Sequence, residues 1–338
     1  MNIRIRLGAT AAFLAALAGT ASAQSTVTVF GIVDLGLQRL KSGSDNRTLE
    51  SPDGLSSSRL GFRGTEDLGG GLSAGFHLEG ALSADDGTAA GFNFRRRSTV
   101  SLSHKRAGEI RLGRDYTPTF WALSTFSPFG TNGVGHSGEI AYGFGGRSGT
   151  APTVVRADNA VSYFLPGSLG GVYGQVMHAF NESAATGRFT GVRIGYAGGP
   201  VDVAAALSDT VNAANGDKYR VWNIGASYKF GVAKLMGFYH VSRQDVRKQT
   251  SYLIGTVVPL GQGELKFSVV HGNVANSDND ATKIAVGYVY NLSKRTALYS
   301  AAARIDNKGK AVFALANSPA VLPGKSSSGY EVGVRHSF

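Results

Sequence analysis

The sequence has no cysteine among its 338 residues. A chain without cysteine forms no disulfide framework and offers no thiolate ligands, so its stability must come from backbone pairing and packing. Proline is also scarce, with 9 residues, while glycine reaches 47. This balance excludes collagen-like and proline-rich linker proteins. Abundant glycine, together with 13 tyrosines and 18 phenylalanines, favours an all-β protein with many short turns.

Long apolar runs are lacking after the first 23 residues. Residues 1–23 carry two arginines, then an apolar stretch, and end in Ala-Ser-Ala. This is the order of a secretory signal peptide, so we expect cleavage before Gln24 and a mature domain over residues 24–338. No later run approaches the roughly 18 apolar residues that a transmembrane helix requires.

The formal net charge is +11. Such a balance is typical of proteins that bind nucleic acid or an anionic surface. Here the arginines are spread along the chain, apart from one cluster at residues 95–97, and no basic helix is apparent. The distribution argues against nucleic acid and favours an interior that handles anions.

The last nine residues alternate strictly between apolar and polar side chains. Alternation with a period of two places the two sets on opposite faces of a strand. In a soluble sheet, a final strand with an apolar face would leave an unpaired edge that promotes aggregation. In a closed barrel the same strand pairs with the first strand. The apolar face holds Tyr330, Val332, Val334, His336 and Phe338, and the other holds Glu331, Gly333, Arg335 and Ser337.

Similar alternation predicts 16 antiparallel strands in the mature chain. Short glycine-rich turns alternate with longer polar loops, which is typical of a transmembrane β-barrel. The longest irregular segment, residues 117–152, is rich in glycine, serine, threonine and aromatic residues. A loop of this length is usually functional. The alternative is a soluble β-sandwich or β-helix, but the charged faces around Arg59 and Arg156 are unsuited to a dry core.

Candidate sites for chemistry are weak. Seven histidines are scattered without metal-ligand spacing, and no G-x-S-x-G nucleophile motif occurs. We therefore predict no catalytic residues, no metal and no cofactor.

Several arginines share the inward face by strand alternation. Guanidinium stays charged at any relevant pH, and a ring of such charges biases a channel toward anions. Alternatively these arginines pair with inward acids such as Glu79, Glu109 and Asp158 and only brace the wall, and the two roles are compatible. Alternation places Arg96 outward unless a bulge intervenes. The inward set is Arg59, Arg63, Arg95, Arg97, Arg111 and Arg156.

Five stretches and the terminal Phe338 resemble the Gram-negative general-diffusion porins, most closely the anion-selective trimeric porins of β-proteobacteria. The resemblance covers essentially the whole mature chain. The stretches are VFGIVD (29–34), SRLGFRGTEDLG (58–69), GFNFRRRS (91–98), RLGRD (111–115) and NLSKRT (291–296).

The resemblance implies a homotrimer of 16-stranded barrels in the outer membrane, surrounded by its lipids. It implies a third loop, Thr117–Pro152, folded inward to narrow the pore, and a basic wall at Arg59, Arg95–Arg97 and Arg156. Phe338 matches the signal that outer-membrane assembly machinery recognises. Small inorganic and organic anions are the implied permeants.

The constriction loop departs from the family pattern. In many relatives it presents several acids opposite the basic wall, often after a proline. Here Pro128 is followed by Phe129, and Glu139 is the only acid between Thr117 and Pro152. This departure argues for a stronger preference for anions.

We therefore expect a passive porin that admits small hydrophilic solutes and favours anions. One alternative is a substrate-specific channel for small organic acids or sugars, lined by aromatics such as Trp121, Phe126 and Tyr142. A second is an outer-membrane hydrolase, for which no supporting residue set is found. A third is a structural or adhesive barrel, whose lumen should be plugged and non-conducting.

Overall fold

A computed structural model describes residues 26–88, 93–142, 144, 153–180, 187–211 and 216–338. The predicted signal peptide, residues 1–23, lies outside this range. The strands are β1 (Thr26–Ser42), β2 (Asp45–Ser51), β3 (Arg59–Gly69), β4 (Leu72–Ala81), β5 (Arg97–His104), β6 (Gly108–Tyr116), β7 (Arg156–Phe164), β8 (Val172–Ala179), β9 (Arg188–Gly198), β10 (Val201–Val211), β11 (Lys218–Phe230), β12 (Ala233–Gln244), β13 (Arg247–Leu260), β14 (Gly263–Val274), β15 (Ala281–Asn291), β16 (Thr296–Asn307) and β17 (Ser327–Ser337). The helices are α1 (Pro118–Ser124) and α2 (Gly138–Ala141). Neither helix, nor any other in the described ranges, is long and apolar enough to cross a membrane.

The sheet is antiparallel and closes on itself. β17 pairs with β1 along residues 32–42, so that Leu37 lies opposite Val332. On its other edge β1 pairs with β3 over residues 26–32 and with β2 over residues 36–42. The predicted pairing of the last strand with the first is therefore confirmed, and so is the barrel of 16 strands.

The second position in the wall is occupied by two strands placed end to end. Alternation over residues 56–67 predicts β3. It does not predict β2, which completes this position, because the side chains of β2 do not alternate between apolar and polar. Residues 52–58 leave the wall between β2 and β3. Asp34, which is fully buried, accepts hydrogen bonds from the Ser56 amide at 2.7 Å and the Tyr299 hydroxyl at 2.6 Å, and these bonds hold the excursion in place.

One face of the barrel wall is apolar and exposed, and the other is largely polar and covered. Val332 is 51% exposed, whereas its neighbour Glu331 is 3% exposed. Ile254 on β13, four strands away, is 59% exposed. The predicted alternation of the last strand is confirmed. Closure of the sheet also pairs the backbone groups of every wall strand, which lipid could not do.

The buried apolar core lies on the face opposite the exposed apolar one. There, side chains of the segment 117–142 pack on wall residues and on residues from the connection between β16 and β17. Buried members include Leu123, Val134, Ile140, Phe238, Leu253, Val270, Ile305 and Phe313. These contacts explain why some wall positions on the covered face, such as Leu253, are apolar.

A charge on the exposed apolar face should destabilise the barrel. Ile254 lies at the centre of β13, so Ile254→Arg should lower the free energy of unfolding by about 2–4 kcal/mol. The measurement is denaturant-induced unfolding in lipid vesicles. Ile254→Leu is the matched control and should stay within about 1.5 kcal/mol of the natural protein. Equal stability of Ile254→Arg and Ile254→Leu would show that this face does not contact lipid.

Candidate functional site

Three arginines from separate parts of the wall meet around one carboxylate and one hydroxyl. Arg59 on β3 reaches Glu79 on β4, with 3.3 Å between Nη1 and Oε1. Arg96, which precedes β5, places its Nε 2.6 Å from the same oxygen. Arg156, at the start of β7, donates from Nη2 to the Tyr116 hydroxyl at 2.7 Å. We call Arg59, Arg96 and Arg156 the arginine cluster.

Tyr116, at the end of β6, positions two members of the cluster. Its hydroxyl accepts from both Arg96 and Arg156, and the Arg156 guanidinium lies 4.3 Å from the centre of its ring. The ring is stacked on Phe120 of α1, with 5.0 Å between centroids. Sequence reasoning missed Tyr116. The signal that could have found Tyr116 is its position between a strand and the start of α1. Thr117 caps this helix, and Pro118 is its first residue.

The cluster carries more positive than negative charge. Arg59 and Arg96 share the carboxylate of Glu79 and Arg156 does not contact it, so the cluster with Glu79 carries an excess of two positive charges. Within the described part of the chain, Arg156 has no carboxylate within 4 Å, and its other contact is from Nε to the main-chain oxygen of Arg96 at 2.6 Å. The side chains of Arg59 and Arg96 are only 18% and 13% exposed, so their positions are restrained.

Arg97 belongs to a separate group in which charges balance. Its Nε lies 3.5 Å from Asp115. Arg111 places one nitrogen 2.6 Å from Asp115 and another 2.8 Å from Glu109. Two arginines therefore face two carboxylates. The predicted bracing of the wall by Glu109 occurs here, as does bracing by Glu79 in the arginine cluster.

Arg95 and Arg96 differ from the alternation expected of a strand. The predicted strand included both, but β5 begins only at Arg97, so alternation does not govern the two residues before it. Arg96 therefore turns into the cluster, although alternation placed it outward. Arg95 does not join: its side chain is exposed and forms no ion pair among the described residues, and its main-chain oxygen accepts from Arg114.

Glu139 holds the segment 117–142 to the wall. Its carboxylate lies 2.8 Å from Nζ of Lys283 on β15 and 3.1 Å from Nε2 of His136. Burial by itself raises the pKa of Glu139, but the interactions with His136 and Lys283 outweigh burial and lower this pKa to about 2. Lys283 is 1% exposed. The only acid of the predicted constriction loop is thus neutralised in an ion pair and carries no free charge.

Other side chains of the same segment rest on glycines of the wall. At each of these glycines an added Cβ atom would lie 2.1–2.8 Å from the segment, closer than atoms can approach. Glycine at these places allows the segment to lie against the backbone of the wall. The contacts are Phe126 on Gly225, Pro128 on Gly255, Phe129 on Gly287 and Ile140 on Gly272.

The tip of the segment also contacts the excursion between β2 and β3. The Gly133 amide donates to the Asp53 carbonyl at 3.0 Å, and Asn132 donates to Asp53 and, at 2.7 Å, to Ser57. The Val134 amide donates to Glu331 of β17 at 3.1 Å. The segment is therefore held on both sides.

Of the aromatics considered for a solute path, Phe126 is fully buried on the wall and cannot contact a solute. Trp121 remains partly exposed on α1, with its ring 5.0 Å from that of Tyr116.

The terminal Phe338 is paired with the first strand. Its amide donates to the Gly31 carbonyl at 3.0 Å, and its carbonyl accepts from the Gly31 amide at 3.1 Å. The ring covers Gly31 and is 48% exposed. Its role in assembly stays a prediction.

The Gram-negative porin family matches residues 9–310 of the chain. The chain belongs to this family. Outer membrane porin protein 32 of Delftia acidovorans is 40% identical, over 96% of this chain and 97% of that protein. The anion-selective porin from Comamonas acidovorans has a TM-score of 0.85 at 39% identity, covering 93% of this chain and all of that one. The trimer form of OmpT from Vibrio cholerae has a TM-score of 0.68 at 16% identity, covering 93% and 99%, and shows the fold alone.

Membership places this porin in the outer membrane of a Gram-negative bacterium as a channel-forming barrel. The family consists of channels rather than enzymes. The predicted fold class, localisation and channel function are therefore confirmed.

Loss of the Glu139 carboxylate should loosen the segment. Glu139→Gln leaves Lys283 buried without a counter-charge, which should lower the free energy of unfolding by about 3–5 kcal/mol. Single-channel currents should become larger and noisier. The double variant Glu139→Gln/Lys283→Met removes both charges and should recover much of the stability, and equal losses in the single and double variants would contradict the ion pair.

The same ion pair determines an acid dependence. The folded pKa of Glu139 is about 2, below its ordinary value of 4.5. The stabilisation is therefore complete above about pH 4.5 and is lost as the pH falls toward 2. In unfolding experiments, the stability difference between the natural protein and Glu139→Gln should persist down to about pH 4.5 and shrink below it.

Proposed function

We propose that this porin conducts small hydrophilic solutes passively and favours anions, with the arginine cluster as its selective element. The observation that carries the proposal is the charge of the cluster: three guanidinium groups face one carboxylate, and Arg156 has none within 4 Å among the described residues. Fixed positive charge of this kind lowers the energy of a passing anion and raises that of a cation.

The segment opposite adds no compensating negative charge. We propose that residues 117–152 form the constriction loop, folded into the barrel. Its support is the contacts of the described residues 117–142 with the covered face of β11, β13, β14 and β15. Glu139, its only acid, is paired with Lys283. A similarity to the anion-selective porin from Comamonas acidovorans, at 39% identity, supports the same conclusion.

We further propose that the mature porin, residues 24–338, is a homotrimer, that residues 1–23 are a cleaved signal peptide and that assembly machinery recognises Phe338. The trimer is supported by the family and by the trimer form of the Vibrio cholerae porin of the same fold. The test of the trimer is native mass spectrometry in detergent. The mass of a single barrel would contradict the trimer.

A channel selective for organic acids is the second candidate. It is favoured by Trp121, whose partly exposed ring lies beside Tyr116 and hence beside the arginine cluster. A current that one organic acid blocks at low concentration, while others of the same charge do not, would support this candidate over general diffusion.

Replacement of cluster arginines should reduce anion preference. In planar bilayers under a potassium chloride gradient, the natural porin should show a reversal potential of the sign expected for chloride. Arg59→Ser and Arg156→Ser should each lower the chloride-to-potassium permeability ratio, by up to about five-fold, because one unit charge at about 4 Å contributes about 1 kcal/mol in water.

The matched control is Arg304→Ser. Arg304 is an exposed residue of β16 on the lipid-facing side, paired with Asp306 at 2.7 Å, so the formal charge change is identical. It should leave the reversal potential unchanged. Potassium preference in the natural porin, or equal shifts in all three variants, would contradict the assignment.

A further inference from the structure

A recess lies in the same wall as the arginine cluster, displaced toward the short turn that joins β3 to β4. Its volume is about 230 Å³. It opens on the polar face of β1 and of β3 to β6. The side chains used below are Thr28, Arg63, Arg97, Thr99, Ser101 and Arg111.

Arg63 is the cation of this recess without a counter-charge. It follows Arg59 by four residues on β3, which places it about 13 Å further along the strand. Its guanidinium lies 5.1 Å from the centre of the Phe30 ring, a contact that fixes its position. Among the described residues no carboxylate lies within 4 Å of it, and it is exposed. A restrained and solvent-accessible cation is well suited to bind a dissolved anion.

One further donor of the recess, on Arg97, also lacks a hydrogen-bond partner among the described residues. The Arg97 Nε is buried and has no hydrogen-bond acceptor in the described residues, although the Asp115 carboxylate lies 3.5 Å away. Arg111 forms ion pairs with Glu109 and with Asp115, and Glu109 also lines the recess. Counting these groups together, three arginines face two carboxylates. One positive charge and one buried donor are left over.

Hydroxyl groups complete the lining. Thr28 on β1 and Thr99 and Ser101 on β5 enter the recess from two sides. Hydroxyls and guanidinium groups together can donate to several oxygens of one ligand from different directions. Chloride can accept only from donors that converge on one atom, whereas a tetrahedral oxyanion presents four oxygens to donors set further apart.

We propose that this recess is a second anion site, separate from the arginine cluster, and that it binds a small tetrahedral oxyanion such as inorganic phosphate or sulfate. The proposal rests on the proposed function, because the anion must be admitted to the barrel. Arg63 and Arg97 then belong to this site and not to the constriction. A permeating oxyanion then moves between the arginine cluster and the recess, which lie about 13 Å apart along β3. Two sites in sequence allow the oxyanion to bind without being trapped.

The test is inhibition of chloride current by inorganic phosphate in planar bilayers at constant ionic strength. In the natural porin, phosphate should reduce the current with a saturable dependence on concentration. Arg63→Gln should raise the half-inhibiting concentration about ten-fold, the effect of one charge-assisted hydrogen bond. Thr99→Val, which keeps shape and charge, should raise it about three-fold, as expected for one neutral hydrogen bond. Insertion as conducting channels shows that each variant folds.

Arg304→Gln, outside the barrel, is the matched charge control and should leave phosphate inhibition unchanged. The reversal potential in chloride, measured on the same channels, reports on the arginine cluster separately. A chloride-selective natural porin whose phosphate inhibition is the same in Arg63→Gln would overturn the second site while leaving the proposed function intact. Loss of chloride selectivity in the natural porin would instead overturn the proposed function. Equal effects of Arg63→Gln and Arg304→Gln would also overturn the site, since they would indicate a general effect of charge.

Discussion

Closure of the sheet between β1 and β17 is the constraint on which the rest of this structure depends. In hydrocarbon a backbone amide or carbonyl without a partner costs several kcal/mol, and a closed barrel is the one arrangement of strands that leaves no edge. The register that opposes Leu37 to Val332 achieves this and also sets the faces of both strands. Once the apolar side chains of β17 point outward, its acid, Glu331, must point inward.

The inward face is then occupied by chain segments rather than by a continuous core. The excursion at residues 52–58 and the segment 117–142 meet at Asp53 and Gly133, and each is also held to the wall. Glycine on four strands lets the longer segment lie on the backbone, while the pair of Glu139 and Lys283 supplies a buried electrostatic anchor. The same pairing neutralises the only acid of the segment 117–142, so anchoring and anion preference have a common origin.

The wall itself separates its positive charges into groups of different character. Around Glu79 and Tyr116 the arginines outnumber the carboxylates, whereas around Asp115 they balance. Arg63 stands apart on Phe30. Alternation alone suggests a uniform row of arginines along the wall. In the structure these arginines form separate groups with different net charges.

The sequence by itself determined the faces of the strands, the count of 16 and the closing pair, because alternation with a period of two depends only on neighbouring residues and on the apolarity of lipid. Only the tertiary structure decided which arginines act together. Arg96 joins Arg59 and Arg156 because β5 begins only at Arg97, so that alternation does not govern Arg96. Tyr116 and Glu79 connect the three arginines across strands far apart in sequence. It also decided that Glu139 meets Lys283, 144 residues away, and so carries no free charge. Such contacts depend on where irregular backbone leaves the sheet, and local periodicity holds no information about that.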